Sequence, residues 1–307
     1  MKKTKATFSL PDSSVVKKKF DAIFSCEGAF SKTRQQFLRD TSFNYSQTYI
    51  DALYIELSIL PDTEGRSKLP DINCLHIWPR GDFMMIGLPN RDLSWTVTLF
   101  GPKCIYTEFQ TPAGVMGVFS KYFPDAIPLI TEKRILEDCL GTQGYPMVSI
   151  KCSPHVLNKT MLLGDAAHAM VPFYGEGMNC GFEDCLVLDT LLEKHNMRTA
   201  LSLYSATRVQ DVQAMCDLSM YNYIEMRDLV RSPLFKLRKL VDNTLHAVVP
   251  NFWIPLYTSI RFQRTLSYRE CWSNKKWQDG VIDKALIAGA VAVVSGILGA
   301  MYRYHAS

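Results

Sequence analysis

Polar and apolar residues alternate at the start of the chain, where Thr4, Ala6, Phe8 and Leu10 share one phase. A polar turn follows at residues 11–14, and residues 15–25 return to an extended pattern, so this region predicts a hairpin belonging to a larger sheet. Between residues 49 and 123 short strand-like runs recur at 53–60, 75–78, 83–88 and 95–100, separated by Pro, Gly, Asn and Asp clusters. That spacing predicts an antiparallel sheet. At residue 161 the pattern changes to a three-residue apolar strand, a glycine-rich loop and then helices as far as about residue 247. Phe182, Cys185, Leu186, Leu188, Asp189 and Leu192 follow a helical period, as does the stretch 201–231. There is no internal repeat or low-complexity linker, which predicts one interleaved body plus a tail.

The tail carries the longest apolar run. Residues 285–302 (ALIAGAVAVVSGILGAMY) hold no charge and are bounded by Asp283 and Lys284 before and Arg303 and His305 after. As a helix this run reaches roughly 27 Å, the short end of what spans a bilayer. Ala288, Ala292, Gly296 and Ala300 recur every fourth position, a stripe along which a second helix could approach closely. Two readings fit, a membrane anchor and a buried C-terminal helix. Each of the run's glycines would cost a soluble helix about 1 kcal/mol relative to alanine, whereas membrane helices accommodate glycine readily, which favours the anchor.

Composition narrows the class. With 47% hydrophobic and 21% charged residues, the 307-residue chain is not disordered, collagenous or a coiled coil. Its net charge of +4 is local: six lysines crowd the first nineteen residues against one acid, Asp12, and nothing resembles a nucleic-acid stripe. The nine cysteines form no Cys-x-x-Cys pair and lie at no metal-ligand spacing from a histidine, which disfavours zinc and redox-pair chemistry and fits a reduced, cytosol-facing compartment. Residues 1–20 contain no apolar run of signal-peptide length.

The segment richest in candidate chemistry is 162–168 (LLGDAAH) followed by 172–179 (PFYGEGMN). A buried strand here delivers Asp165, and a glycine-rich turn opens a helix at about Gly181, gathering a carboxylate and free backbone N–H groups around one small volume. The helix N-terminus carries roughly half a positive charge and favours an anion. The plain alternative is a strand-to-helix turn with Asp165 as its N-cap. Gly175, Gly177 and Gly181 do not make a dinucleotide fingerprint, because the third glycine falls one position late and no strand precedes them. His168 has no partner at triad spacing and reads as structural. A second segment, 22–34 (AIFSCEGAFSKTR), ends an apolar strand in an acidic-Gly turn followed by Ser and Arg34.

In this order, with a strand-rich region of about 130 residues between them, the two segments resemble the DG and GD motifs of the flavoprotein aromatic hydroxylases. Further segments narrow the resemblance to the kynurenine 3-monooxygenases: 75–80 (LHIWPR), 83–90 (FMMIGLPN), 173–185 (FYGEGMNCGFEDC), 220–227 (MYNYIEMR) and 254–257 (IPLY), together with the apolar tail. The resemblance implies a mixed α+β and α/β architecture, an incomplete flavin hydroxylase fold. Residues 1–48 would form a remnant of the FAD domain, 49–145 the substrate sheet, 146–247 the GD motif and helices, 248–284 a C-terminal substrate-side region and 285–302 a transmembrane anchor.

The resemblance also implies FAD as cofactor, NADPH and O₂ as co-substrates and L-kynurenine as substrate, in the mitochondrial outer membrane with the body facing the cytosol. It assigns Asp165 to the flavin ribityl chain, Pro172, Gly175, Gly177, Met178 and Asn179 to the flavin ring, and Arg34 to the cofactor side. Asn222 and Tyr257 would hydrogen-bond the substrate carboxylate, and Phe173, Met226 and, more weakly, Phe100 would line the aromatic pocket. No protein nucleophile and no metal are implied. Phe173, Met226 and Tyr257 have packing as their plain alternative, and Asn222 a local hydrogen bond. Three departures from the family pattern stand out: no strand–GxGxxG–helix unit occurs in these residues, Glu27 stands for the usual aspartate, and Glu176 stands for a glutamine in the flavin loop. A catalytically silent, membrane-anchored form that does not retain FAD is the second functional class.

Overall fold

The computed structural model describes residues 4–263 and 265–306; of residues 290, 293, 294 and 296–306 only the backbone is described. The chain divides into two compact units, Met1–Lys236 and Leu237–Ser307.

In the first unit the strands are β1 (Thr4–Ser9), β2 (Val15–Phe20), β3 (Ile23–Ser25), β4 (Asn44–Ile59), β5 (His76–Pro79), β6 (Met84–Pro89), β7 (Trp95–Pro102), β8 (Tyr145–Ser153), β9 (Val156–Leu157) and β10 (Thr160–Leu162). The helices are α1 (Lys32–Phe37), α2 (Lys103–Glu108), α3 (Pro112–Tyr122), α4 (Ile127–Ile130), α5 (Glu132–Cys139), α6 (Asp165–His168), α7 (Gly177–Lys194) and α8 (Met197–Arg227). The principal sheet is antiparallel, in the order β5-β6-β7-β4-β8. Period-two alternation sends successive residues to opposite faces, and here both faces are covered. Ile55, Leu57 and Ile59 of β4, with Trp95, Val97 and Leu99 of β7, pack on Phe109, Phe119, Phe123, Ile130 and Ile135 from the helical stretch after β7. Ile50, Ala52, Met84, Ile86 and Phe100 face the other way, against Val171, Phe173, Tyr223 and Met226. Burial on both faces explains the continuous apolar run of β6, Met84 to Ile86, whereas β4 and β7 keep the alternation.

One expectation needs correcting. The N-terminal hairpin pairs only with itself, as a two-stranded sheet, while β3 runs parallel to β10 in a separate three-stranded sheet of order β3-β10-β9. The four strand runs expected within 49–123 are present as β4 to β7, and helices that the sequence reading did not name follow from Lys103. α3 begins at Pro112 in the first turn, with the Thr111 side chain accepting from the Gly114 N–H, an N-terminal signal that outweighs the strand-like spacing upstream.

The helix α7 leaves an apolar stripe uncovered: Met178, Phe182 and Leu186, spaced four apart, are 72%, 69% and 64% exposed. Phe24 on the edge strand β3 is 42% exposed.

The second unit contains most of α9 (Pro233–Val248), α10 (Leu256–Phe262) and α11 (Tyr268–Ala306). Asp242 ties it together: its carboxylate accepts from the Trp253 indole N–H at 2.9 Å and from Arg238 Nε at 3.1 Å, and Arg238 also pairs with Asp279 of α11 at 3.0 Å. Residues 285–302 are not a separate element but the end of the 39-residue helix α11. Among the described residues no helix is long and apolar enough to cross a membrane. More than half of the expected anchor, including Gly296 and Ala300 of its small-residue stripe, lies outside the described side chains.

Candidate functional site

Strand β10 is buried, and the chain leaves it through Gly164 at φ 56°, ψ −140°, a conformation open to glycine alone. A Cβ there would meet nothing within 4 Å, so the torsion rather than space demands glycine. Gly164 also takes the cap position of α6, so the reading of Asp165 as an N-cap does not hold. Asp165 is the first helical residue and is exposed. Beyond α6, Pro172–Tyr174 form one 3₁₀ turn that ends on Gly175 in the left-handed region, after which α7 starts at Gly177 rather than near Gly181. No side-chain hydrogen bond caps α7 at its N-terminus, where the cap residue is Glu176.

A cleft of about 420 Å³ lies between this loop and the principal sheet. Asp165 and Pro172 line it with Met170 and Val171 from the loop side, and Phe100, Leu88, Thr98 and Tyr54 line it from the sheet. Phe173 is buried behind Phe100, the two ring centroids 4.8 Å apart, and Tyr223 lies 4.5 Å from Phe173 on its other flank. Met226 belongs to the same apolar cluster. The Asn222 amide donates to the Phe173 carbonyl at 2.8 Å and contacts Met226 Sδ at 3.3 Å, so one residue of α8 holds the 3₁₀ turn in place. Gly175, Gly177, Met178 and Asn179 continue along the loop into α7 and are not part of the cleft lining; Met178 and Asn179 are exposed. Tyr257 lies in the second unit, on α10, half exposed with the Arg261 guanidinium 5.9 Å from its ring centroid. A larger groove of about 670 Å³, lined from β8, β9 and α8 by Ser153, Arg198, Ser205 and Gln213 among others, contains none of the predicted site residues and no carboxylate.

The segment around Glu27 and Arg34 is built as a braced turn. Glu27 accepts from Ser25 Oγ at 2.6 Å, Ser31 Oγ at 2.7 Å and the Thr33 N–H at 2.9 Å. Its partial burial pushes the carboxyl upward, but these hydrogen bonds from Ser25, Thr33 and Ser31 prevail and hold it at about 2. The Arg34 guanidinium is buried, donates to the Ala166 carbonyl at 2.8 Å and to that of Ala29, and lies 5.2 Å from the Tyr45 ring centroid. It therefore joins α1 to α6 from beneath the loop. Glu176 is 6% exposed and accepts from Asn179 Nδ2 at 3.1 Å, which excludes an outward-turned carboxylate.

A buried polar cluster behind the loop was not legible in the sequence. His168 Nε2 lies 2.6 Å from Asp184 Oδ2, so His168 does have a carboxylate partner, sixteen residues away. Asp184 also accepts from Arg208 Nε at 2.8 Å and from the Gly164 N–H at 3.0 Å. His168, Cys180 and Asp184 approach within 4.8 Å of one another. They do not suit a metal: both carboxylate oxygens already accept hydrogen bonds, an arginine shares the cluster, and burial pushes the Cys180 thiol upward, away from the thiolate form a metal needs.

The FAD binding domain family matches residues 17–219. Among curated proteins, the chain is 45% identical over 287 residues to a kynurenine 3-monooxygenase of Anopheles gambiae, covering 92% of this chain and 59% of that protein. It is also 45% identical over 269 residues to the kynurenine 3-monooxygenase of Sus scrofa, covering 87% and 56%. The chain thus spans about three fifths of the length of the curated relatives it matches. Among solved structures, Klebsiella pneumoniae HpxO complexed with FAD superposes with a TM-score of 0.58 at 15% identity, over 80% of this chain and 65% of that one. The 2-methyl-3-hydroxypyridine-5-carboxylic acid oxygenase does so at 0.56 and 19%, over 74% and 60%. The mixed helix-and-sheet architecture is that of an FAD-dependent hydroxylase, and the chain belongs to the FAD binding domain family.

Proposed function

We propose that this chain supplies the flavin-ring and substrate side of an FAD-dependent monooxygenase that converts L-kynurenine to 3-hydroxykynurenine with NADPH and O₂. The observation that carries this reading is the cleft itself, with the Asp165 turn on one wall and the apolar sheet face around Phe100 on the other. Its volume of about 420 Å³ falls in the range of small-molecule sites. The donor set fits the cofactor: an exposed carboxylate suits ribityl hydroxyls, and the N-terminus of α7 offers backbone N–H groups to the ring, although the buried Glu176 carboxylate at its cap opposes the negative charge the ring gains on reduction. When bound, FAD supplies the reducing equivalents taken from NADPH and the transfer of one oxygen atom of O₂ to the aromatic ring. The protein's part is to orient the substrate and exclude water. Phe100 lines the apolar wall, and Phe173 and Met226 pack behind it and fix its position. Asn222 keeps one amide hydrogen on the Phe173 carbonyl, and the other, now against a weakly accepting thioether, is available to a carboxylate. For Tyr257 the assignment rests on the family resemblance alone.

Flavin retention and turnover test the reading. The purified chain is expected to bind FAD, more weakly than the longer relatives, and to oxidise NADPH faster when L-kynurenine is present. No flavin retained by the chain after excess FAD is removed by gel filtration, together with an unchanged flavin spectrum during titration, would favour the silent form. For membrane attachment, the reading is a tail anchor at residues 285–302 in the mitochondrial outer membrane, with the small-residue stripe open to a second copy. Alkaline carbonate is expected to leave the intact chain in the pellet and to release a chain lacking residues 285–307. Release of both would refute the anchor.

A further inference from the structure

Asp184, on the second turn of α7, is wholly buried and joins α7 to three other segments. Its Oδ2 accepts from the Gly164 N–H at 3.0 Å, at the turn after β10, and from His168 Nε2 at 2.6 Å, at the end of α6. Its Oδ1 accepts from Arg208 Nε of α8 at 2.8 Å. Arg208 in turn donates to the Cys180 carbonyl at 3.1 Å, in the first turn of α7, to Glu183 at 2.7 Å and to Asp211 at 2.7 Å. The start of α7 packs against the same turn, a Cβ on Gly181 lying in ordinary contact, 3.8 Å, with the Gly164 Cα. Gly164 is also the residue in the glycine-only conformation, and its neighbour Asp165 faces the cleft.

We propose that Asp184 is the positioning residue of the flavin-side turn: by holding the Gly164 N–H it fixes the glycine-specific backbone turn that aims Asp165 into the cleft, and His168 and Arg208 hold the carboxylate itself. The proposal rests on the flavin reading given above for the part that concerns the cofactor. Three donors converge on this carboxylate, and only an acceptor at both oxygens can satisfy them. Asparagine keeps the shape but turns an NH₂ toward donors, leaving at least one of them unpaired.

The experiment compares the parent chain with Asp184→Asn, His168→Gln and His168→Leu, using two readouts. Amide hydrogen exchange at residues 164–168 reports the turn without any cofactor. Quenching of FMN fluorescence reports affinity for the ring and ribityl chain. In Asp184→Asn, exchange at 164–168 is expected to rise and FMN affinity to fall by about tenfold each, with β4, β7 and β8 unchanged. His168→Gln, which retains a donor, is expected to stay within about threefold of the parent, while His168→Leu follows Asp184→Asn. Parental exchange and FMN affinity in Asp184→Asn would overturn the proposal. If that variant does not fold, the His168 pair decides, and indistinguishable Gln and Leu variants would overturn it. If the parent binds no FMN, the flavin reading fails, and the exchange measurements alone decide whether Asp184 holds the turn.

Discussion

His155 shows how a single residue sets the acid limit of the fold. It is wholly buried, and neither ring nitrogen has a partner at hydrogen-bond distance. Burial, and after it the neighbouring His168, pushes its pKa down to about 3, so it is neutral in the folded chain, whereas the unfolded chain titrates it near 6.5. Between those values the unfolded state binds more protons. The stabilising contribution is complete above about pH 6.5 and declines as pH falls toward 3. Glu27 adds a second loss in the same direction, but only below its unfolded value of 4.5. The window from pH 7.5 to 5 therefore isolates the histidine. Urea denaturation should show the parent losing about 2 kcal/mol more than His155→Leu across that window. Parallel stability profiles for the two proteins would show that His155 is not the group responsible.

At the scale of elements, the second unit depends on a buried acid reaching between segments. Asp242 holds the Trp253 indole from the middle of α9, and its own charge is answered by Arg238. Asp242→Ala leaves an indole N–H without its acceptor and an arginine without one of its carboxylates. The expected cost is about 1–3 kcal/mol, seen as a lower unfolding midpoint with a changed near-ultraviolet tryptophan signal. An unchanged midpoint would show that Arg238–Asp279 alone suffices. Strands of the principal sheet were legible because burial on each face follows a period of two, as in Ile55, Leu57 and Ile59. α2 and α3 were hidden after the last strand of this region, α2 because it has only six residues and α3 because Gly114 and Gly117 interrupt its apolar face. Thr111-Pro112 marks the start of α3. α11 was read as two pieces because its charged first turns and apolar end differ in composition while the backbone runs on unbroken.

On the scale of the molecule, the family was legible because the two acidic-glycine turns survive as contiguous motifs, in the right order around an inserted sheet. The brace behind them was not. His168, Asp184 and Arg208 lie sixteen and twenty-four residues apart on separate helices, and no local pattern links them before the chain is folded. The same limit applies to Arg34, whose motif suggests a ligand while the fold directs its guanidinium to two backbone carbonyls.

The uncovered stripe Met178, Phe182 and Leu186 has a consequence for the chain as a colloid. Its net charge of +4 gives little long-range repulsion at physiological ionic strength, where fields fade within about 8 Å, so apolar stripes and open strand edges dominate encounters between copies. Static light scattering of the purified chain should give a negative second virial coefficient that becomes more negative with ammonium sulfate. Phe182→Lys with Leu186→Lys should bring it to zero or above while leaving circular dichroism unchanged. If the double variant scatters as the parent does, the attraction originates elsewhere on the surface.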